Sequence, residues 1–319
     1  MRRGRDGERC AFSSDELASA FHQLAEPGVA KGLFLSSAVS DNSNRTMERM
    51  IATVELVRFK YHFDGYVHLK LLPGCDEATV ERAIQLADRV SANLEAPNPA
   101  RLAHLSGDKR FEQDLMQPMR WARRLLDRSE QPTLPDITTQ FVVGAAGESD
   151  CEILSTVEHL HQNVGVTRAY FSAFRPVPDT PLENLPPTPA WRQNRLYQAD
   201  FLLRFYGFSV QDLTFSSDGN LQADLDPKMA WAQRHPELFP VEVNRASREE
   251  LLRVPGIGPR SAGRIVDLRR QSKFRDLRDL RTAGAVADRA APYVLLDGHR
   301  LPQQLSFFGW APTAWCRAG

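Results

Sequence analysis

The chain has no long apolar run. Nowhere in its 319 residues does an uncharged hydrophobic stretch approach the ~18 residues of a bilayer span, so no membrane partner is expected. Its first residues, from Met1 to Arg9, are basic and polar, and no apolar segment follows them, which argues against a secretory signal. Cysteine is scarce and scattered. Cys10, Cys75, Cys151 and Cys316 form no Cys-x-x-Cys pair and imply no disulfide framework, so a reducing cytoplasmic location is expected. The eight histidines show no metal-ligand spacing. No metal site is therefore expected within the chain, and His159 and His161 read as solvated. Net charge is absent too: 40 Lys and Arg balance 40 Asp and Glu. Any charged surface must then be local. A hydrophobic content of 42% and a charged content of 25% are ordinary for a globular protein, and the length suffices for one large or two medium domains.

What the sequence does have is a compact pattern near its end. Residues 251–266 read Leu-Leu-Arg-Val-Pro-Gly-Ile-Gly-Pro-Arg-Ser-Ala-Gly-Arg-Ile-Val. The spacing predicts a helix, a Pro-Gly-Ile-Gly turn, and a second helix starting near Pro259 with Ala262 and Ile265 on its buried side. Glycines at 256 and 258 would open backbone conformations closed to other residues and allow close approach to a ligand. The amides of Gly256, Ile257 and Gly258 would then sit at a helix N-terminus, where free N–H groups and the helix dipole favour a phosphate.

The pattern resembles the helix-hairpin-helix motif of DNA-binding proteins, which grips one phosphodiester backbone and reads no sequence. The alternative is a glycine-capped corner that binds nothing. Local charge weighs against it: from Arg245 to Arg281 there are 11 Lys or Arg and 5 Asp or Glu in a neutral chain. The expected DNA-binding set is Arg253, Gly256, Ile257, Gly258, Pro259, Arg260, Ser261, Arg264 and Lys273, with an affinity that falls steeply with salt. A degenerate second hairpin is expected beyond it, with helices over 274–280 and 288–294 around a turn at Ala283, Gly284 and Ala285.

From residue 14 to about 210 the pattern alternates helix and strand. Ser14 reads as the N-cap of the first helix. Strands are predicted at 32–37, 65–71, 89–95, 138–144 and 168–174, each joined to the next by a helix. Such alternation implies parallel strands with right-handed crossovers, in a barrel or an open sheet. Polar residues recur toward the strands' C-terminal ends: Ser36, Ser37, His68, Lys70, Asn93, Glu95, Gln140 and Ser172. Strand ends that merely reach solvent would explain one such case. Several together favour a pocket, because barrel enzymes place their sites at that end. A proline-rich loop follows at 176–189, then a strong helix over 192–206.

Five segments carry a wider resemblance: 35–39 (Leu-Ser-Ser-Ala-Val), 65–70 (Gly-Tyr-Val-His-Leu-Lys), 91–95 (Ser-Ala-Asn-Leu-Glu), 140–144 (Gln-Phe-Val-Val-Gly) and 195–208. Together they resemble the radical S-adenosylmethionine proteins described as DNA modification or repair proteins, which end in a helix-hairpin-helix. The resemblance runs over roughly residues 10–300. It implies an α/β fold, a partial (β/α)6 TIM-like barrel, with a small all-α helix-hairpin-helix domain. The expected organisation is a barrel over 1–212, a connector over 213–240, the hairpin domain over 241–298 and a flexible tail over 299–319.

The resemblance also implies S-adenosylmethionine and a [4Fe-4S] cluster that reduces it to a 5′-deoxyadenosyl radical. By this likeness Ser36 and Ser37 would meet the methionine end, Asn93 and Glu95 the ribose, and Val142 and Gly144 the adenine. His68, Lys70, Gln140 and Ser172 would line the substrate pocket. Members hold the cluster with a Cys-x-x-x-Cys-x-x-Cys loop after the first strand, and this chain contains no such loop. A cluster needs three thiolates, and Cys10 alone cannot supply them. The chain therefore reads as one that begins after the loop and the first strand, with radical chemistry lost.

Residues 304–308 read Gln-Leu-Ser-Phe-Phe, close to the peptide with which bacterial proteins bind the sliding clamp. Gln304, Leu305, Ser306, Phe307 and Phe308 are the candidate contacts, and the alternative is a tail packed on its own domain. Two functions stand: a DNA modification or repair enzyme, or a non-catalytic adaptor that joins DNA, and the clamp, to a repair partner such as a glycosylase-like protein. A helix-hairpin-helix glycosylase is set aside, because residues 274–280 lack the Val-Asp-x-His-Val setting of its catalytic aspartate.

Overall fold

A computed structural model describes residues 12–38, 42–129 and 134–300. The chain divides into two compact units, Met1–Leu203 with Ser209–Asp224, and Arg204–Phe208 with Leu225–Gly319.

The first unit is a mixed α/β layer. Its helices are α1 (Ser14–Ala25), α2 (Ser43–Glu55), α3 (Glu77–Leu86), α4 (Pro99–Leu105), α5 (Gln117–Asp127), α6 (Asp150–His159) and most of α7 (Ala190–Phe205). Its strands are β1 (Gly32–Leu35), β2 (Tyr66–Lys70), β3 (Arg89–Ser91), β4 (Asp136–Val143) and β5 (Val166–Ala173). They form one sheet in the order β1-β2-β3-β4-β5, with every neighbouring pair parallel. The five predicted strands are thus all present, in the predicted orientation.

Alternation along each strand separates two faces. Val67, Leu69, Val90, Ile137, Phe141, Ala169 and Phe171 are buried on one of them. Helices supply the matching apolar stripes, among them Met47, Met50 and Val54 of α2, Val80 and Ala83 of α3, and Ile153, Leu154 and Val157 of α6. The other face carries His68, Lys70, Gln140, Tyr170 and Ser172, none of them fully buried.

Local chemistry accounts for the helix starts. Ser13, rather than Ser14, caps α1, because Glu16 lies three residues on and closes a reciprocal capping box. Ser149 and Glu152 do the same for α6. The helical connection between β3 and β4 is broken: α4 stops at Leu105, and helix resumes at Phe111 as a π-helical turn that runs into α5.

His161 is not solvated as expected. Its Nε2 lies 2.8 Å from the fully buried carboxylate of Asp200, and its Nδ1 lies 2.6 Å from the Val166 carbonyl. The helix that carries it widens into a π-helical turn over Leu160–Val164, and the ring faces inward.

The second unit contains α8 (Pro227–Arg234), α9 (Arg248–Arg253), α10 (Pro259–Leu268), α11 (Leu277–Thr282) and α12 (Ala287–Ala290). Leu251, Val254, Ile257, Ala262, Ile265 and Leu280 are at its core. It is not all-α as expected. Three short strands, β6 (Val241–Glu242), β7 (Val294–Leu296) and β8 (His299–Arg300), form a sheet in that order, β6 parallel to β7 and β7 antiparallel to β8. Val294, expected to be helical, begins β7. Strands of two or three residues show no periodicity that a sequence pattern could reveal. Asn244 ties the sheet's entry to the hairpin region, accepting from Phe274 N at 2.8 Å and donating to Phe274 O at 2.9 Å.

Candidate nucleic-acid interface and polar sheet face

The hairpin forms as its pattern predicts, and its glycines divide the work differently than expected. Ser247 and Glu250 box the N-terminus of α9. The chain leaves α9 at Val254 and turns at Gly256, whose φ is +86°. A Cβ at 256 would meet Val286 O at 2.5 Å and both Ala290 N and Arg289 Cβ at 3.0 Å. The Gly256 carbonyl accepts from Val286 N at 2.8 Å. Gly256 therefore joins the first turn to the second, at 283–286. Gly258 has φ −104°, open to any residue, so the special conformation expected there is not used. A Cβ at 258 would meet only the Tyr206 hydroxyl, at 3.2 Å, and Ser261 Oγ, at 3.9 Å.

Two of the three amides expected to face a phosphate are bonded inside the turn. Ile257 N donates to Val254 O at 3.1 Å, and Gly258 N donates to Ser261 Oγ at 2.8 Å. Ser261 Oγ in turn donates to Gly258 O at 3.0 Å. Pro259 opens α10. The amides of Arg260 and Ser261 belong to its first turn, where backbone N–H groups have no intrahelical acceptor. These are the amides placed to meet an anion.

Side chains sort in the same way. Arg260 and Arg264 are exposed on α10, and the Arg264 guanidinium lies over Gly284 in the second turn. Lys273 pairs with Asp297 at 2.8 Å. The Arg253 guanidinium lies 3.9 Å from the Phe208 ring centroid and 4.9 Å from that of Trp231, and donates to Gly207 O at 2.9 Å. Arg253 thus packs within its own unit. One residue was not anticipated. Lys228, only 8% exposed, donates from Nζ to Ile257 O at 2.6 Å. Burial, partly opposed by Asp226, pulls its ammonium down to about 7. A lysine after a helix-initiating proline reads as a surface residue, so nothing local marks it.

On the sheet, one chain of hydrogen bonds crosses β2 and β3: His68 Nε2 lies 2.8 Å from Ser91 Oγ. A second crosses from β3 to β5, with Asn93 Nδ2 donating to Gln140 Oε1 at 3.3 Å and Gln140 Nε2 donating to Ser172 Oγ at 3.0 Å. Burial, reinforced by Arg89 and Lys70, pulls His68 down to about 4, so its ring is neutral at neutral pH. Phe34, 61% exposed, lies tilted against that ring, 4.6 Å between centroids.

Glu95 sits just past β3 with φ +65°, a left-handed conformation that costs a non-glycine residue ~1 kcal/mol or more. It is held there by Glu95 N donating to Gln140 O at 2.9 Å and Val142 N donating to Glu95 O at 2.8 Å. Its carboxylate lies 3.7 Å from Lys109 Nζ. Burial lowers Lys70 as well, opposed by Glu95.

Three of the eight polar strand-end residues are therefore linked side chain to side chain, Asn93, Gln140 and Ser172; Glu95 joins them through backbone bonds to β4, and His68 bonds separately to Ser91. Lys70 is joined electrostatically to Glu95. Ser36 and Ser37 are exposed, and Ser37 Oγ donates to its neighbour's carbonyl at Ala38, at 2.9 Å. Val142 is half-buried in β4. Gly144 N donates to the Glu148 carboxylate, and a Cβ at 144 would collide with the Thr188 hydroxyl, so the chain itself takes up the close approach there.

Ser91, expected on one face with Asn93 and Glu95, bonds His68; Lys109, in the loop after α4, and the Arg89–Asp136 pair at 2.8 Å, set side by side by strand pairing, have no local signal in the sequence. Among the described residues no group of three or more His, Cys, Asp or Glu could hold a metal ion. Burial pushes the Cys75 thiol up to about 12. Among the described residues, no helix is long and apolar enough to cross a membrane.

Residues 239–287 match the helix-hairpin-helix motif. No curated protein matches the chain. Among solved structures, the chain is similar to "HydG: A maturase of the [FeFe]-hydrogenase", with 12% identity, a TM-score of 0.48, 64% of this chain covered and 45% of that one. The chain thus spans less than half the length of that protein.

Proposed function

We propose that this chain binds DNA through its helix-hairpin-helix, holding the phosphodiester backbone without regard to sequence. The observation that carries the reading is the Gly256-pinned turn, which presents the first-turn amides of α10 together with exposed Arg260 and Arg264. Amides and arginines of this kind contact phosphates and leave base edges unread. Fluorescence anisotropy on short duplexes tests it. At low ionic strength several unrelated sequences should bind with similar affinity, and log K should fall linearly with log salt. Failure to bind any of them, or strong preference for one, would refute the reading.

The finer reading is a DNA modification or repair protein of the radical S-adenosylmethionine type. The sequence segments that resemble that family support it. So does the polar sheet face, where the Asn93 side chain bonds Gln140 and the Glu95 backbone bonds β4; on this reading the pair would hold a ribose. On this reading the neutral His68, with Lys70, Gln140 and Ser172, would meet the substrate. A base inside a duplex would have to be flipped out to reach such a site.

S-adenosylmethionine should bind measurably by isothermal titration calorimetry, and Asn93→Ala with Glu95→Ala should abolish the heat. Binding that survives the double substitution removes the ribose assignment. An iron–sulfur cluster does not fit the described residues: Cys75 is a buried, protonated thiol, and no second thiol joins it.

That misfit favours a second reading, a non-catalytic adaptor bringing DNA to a repair partner. An adaptor would keep duplex binding and show no heat with S-adenosylmethionine. The Gln304–Phe308 segment proposed for the sliding clamp lies outside the described residues.

A further inference from the structure

Lys228 stands near the start of α8, and its side chain runs into the core of the second unit. Its Nζ donates to Ile257 O at 2.6 Å and lies 4.6 Å from the centroid of the Tyr206 ring. The Ile257 carbonyl and the Gly258 N–H are two ends of one planar peptide group. A charged donor on the carbonyl polarises that peptide and fixes its plane. The N–H at the far end donates to Ser261 Oγ at 2.8 Å, and that hydroxyl donates to Gly258 O at 3.0 Å. A relay therefore runs from a buried ammonium, through the turn, to the N-terminus of α10. The groups that act on the ammonium are Asp226, the N-cap of its own helix, whose carboxylate is engaged by Arg289 of α12, then Arg289 itself, Arg253 of α9 and the Tyr206 ring.

We propose that Lys228 is a positioning residue for the hairpin's phosphate grip, and that a DNA phosphate bound at the turn is taken up together with a proton held on Lys228. The inference rests on the DNA-binding reading above. Its physical basis is the cost of keeping an ammonium out of water. Burial brings Lys228 down to about 7, so in the free protein part of the population has lost the charge at neutral pH. A phosphate at the front of the turn favours the charged form and raises that value. The sign follows. Below about 7 Lys228 is charged with or without DNA, and binding is tightest. As pH rises through 7 toward the higher value of the complex, binding requires proton uptake and weakens. Above both values the lysine is neutral in each state, and affinity levels off at its weak limit.

The test is duplex affinity by fluorescence anisotropy from pH 6 to pH 9 at constant low ionic strength. A His235→Gln/His299→Gln background removes the two histidines of this unit. Affinity should drop about tenfold across the range for each unit by which the phosphate raises Lys228. Lys228→Met, neutral at every pH, should bind weakly with a flat profile. Lys228→Arg keeps a charge that does not titrate, so it should bind tightly with a flat profile. Circular dichroism melts check that each variant folds. A pH-independent wild-type affinity, or a slope that persists in Lys228→Met, overturns the proposal while leaving DNA binding intact. If Lys228→Met does not fold, a slope in Lys228→Arg equal to wild type overturns it. No duplex binding at any pH would overturn the hairpin reading itself, and this proposal with it.

Discussion

Gly256→Ala should cost the second unit about 2–3 kcal/mol of stability and remove duplex binding. Two penalties add. Alanine at φ +86° pays ~1–2 kcal/mol for the left-handed backbone. Its Cβ would also lie 2.5 Å from Val286 O, a backbone atom that cannot swing aside. Moving the second turn away loses the 2.8 Å bond from Val286 N to Gly256 O, a further ~1 kcal/mol. Thermal unfolding measures the loss, with Gly258→Ala as the contrast. At φ −104° alanine is unstrained, and its Cβ meets only the Tyr206 hydroxyl at 3.2 Å and Ser261 Oγ at 3.9 Å. Gly258→Ala should therefore cost less than about 1 kcal/mol. Equal destabilisation by the two substitutions would show that Gly256 does not pin one turn to the other.

The second large effect is on affinity alone. Arg260→Ala with Arg264→Ala should weaken duplex binding on the order of 10- to 100-fold at low salt, equally for unrelated sequences. It should also reduce the slope of log K against log salt by about 2, one phosphate contact for each arginine. Both side chains are exposed, so the melting curve should hardly move. Arg253→Ala is expected to do the reverse. Its guanidinium lies against Phe208 and Trp231, so removal should lower stability more than it changes the salt slope. An unchanged salt slope in the double variant would place the DNA elsewhere on the protein.

Together these outcomes separate two jobs that the sequence merges. The basic segment from Arg245 to Arg281 reads as one electrostatic face, yet its cations serve different ends. Arg269 donates to Val243 O at 3.0 Å and Ala246 O at 2.6 Å, Lys273 pairs with Asp297, and Arg281 pairs with Asp288 at 2.7 Å. A charge count overstates the binding face because arginine's long stem and five donors suit it equally to bracing a fold.

The alternation of five strands and their helices could be read directly, because two-residue and 3.6-residue periodicities are local properties of a chain. So could the hairpin, since a proline–glycine turn between two amphipathic stretches needs no distant partner. The caps were readable to within a residue, as the Ser13–Glu16 box shows. What folding alone decided is which polar groups lose water. His161 found Asp200 across 39 residues, and Lys228 found the Ile257 carbonyl across 29. Three strand fragments too short to have a pattern pair with one another across the hairpins. Periodicity and turn chemistry belong to neighbours in sequence. Burial, and the shift in proton affinity that follows from it, depends on which distant segments exclude the solvent.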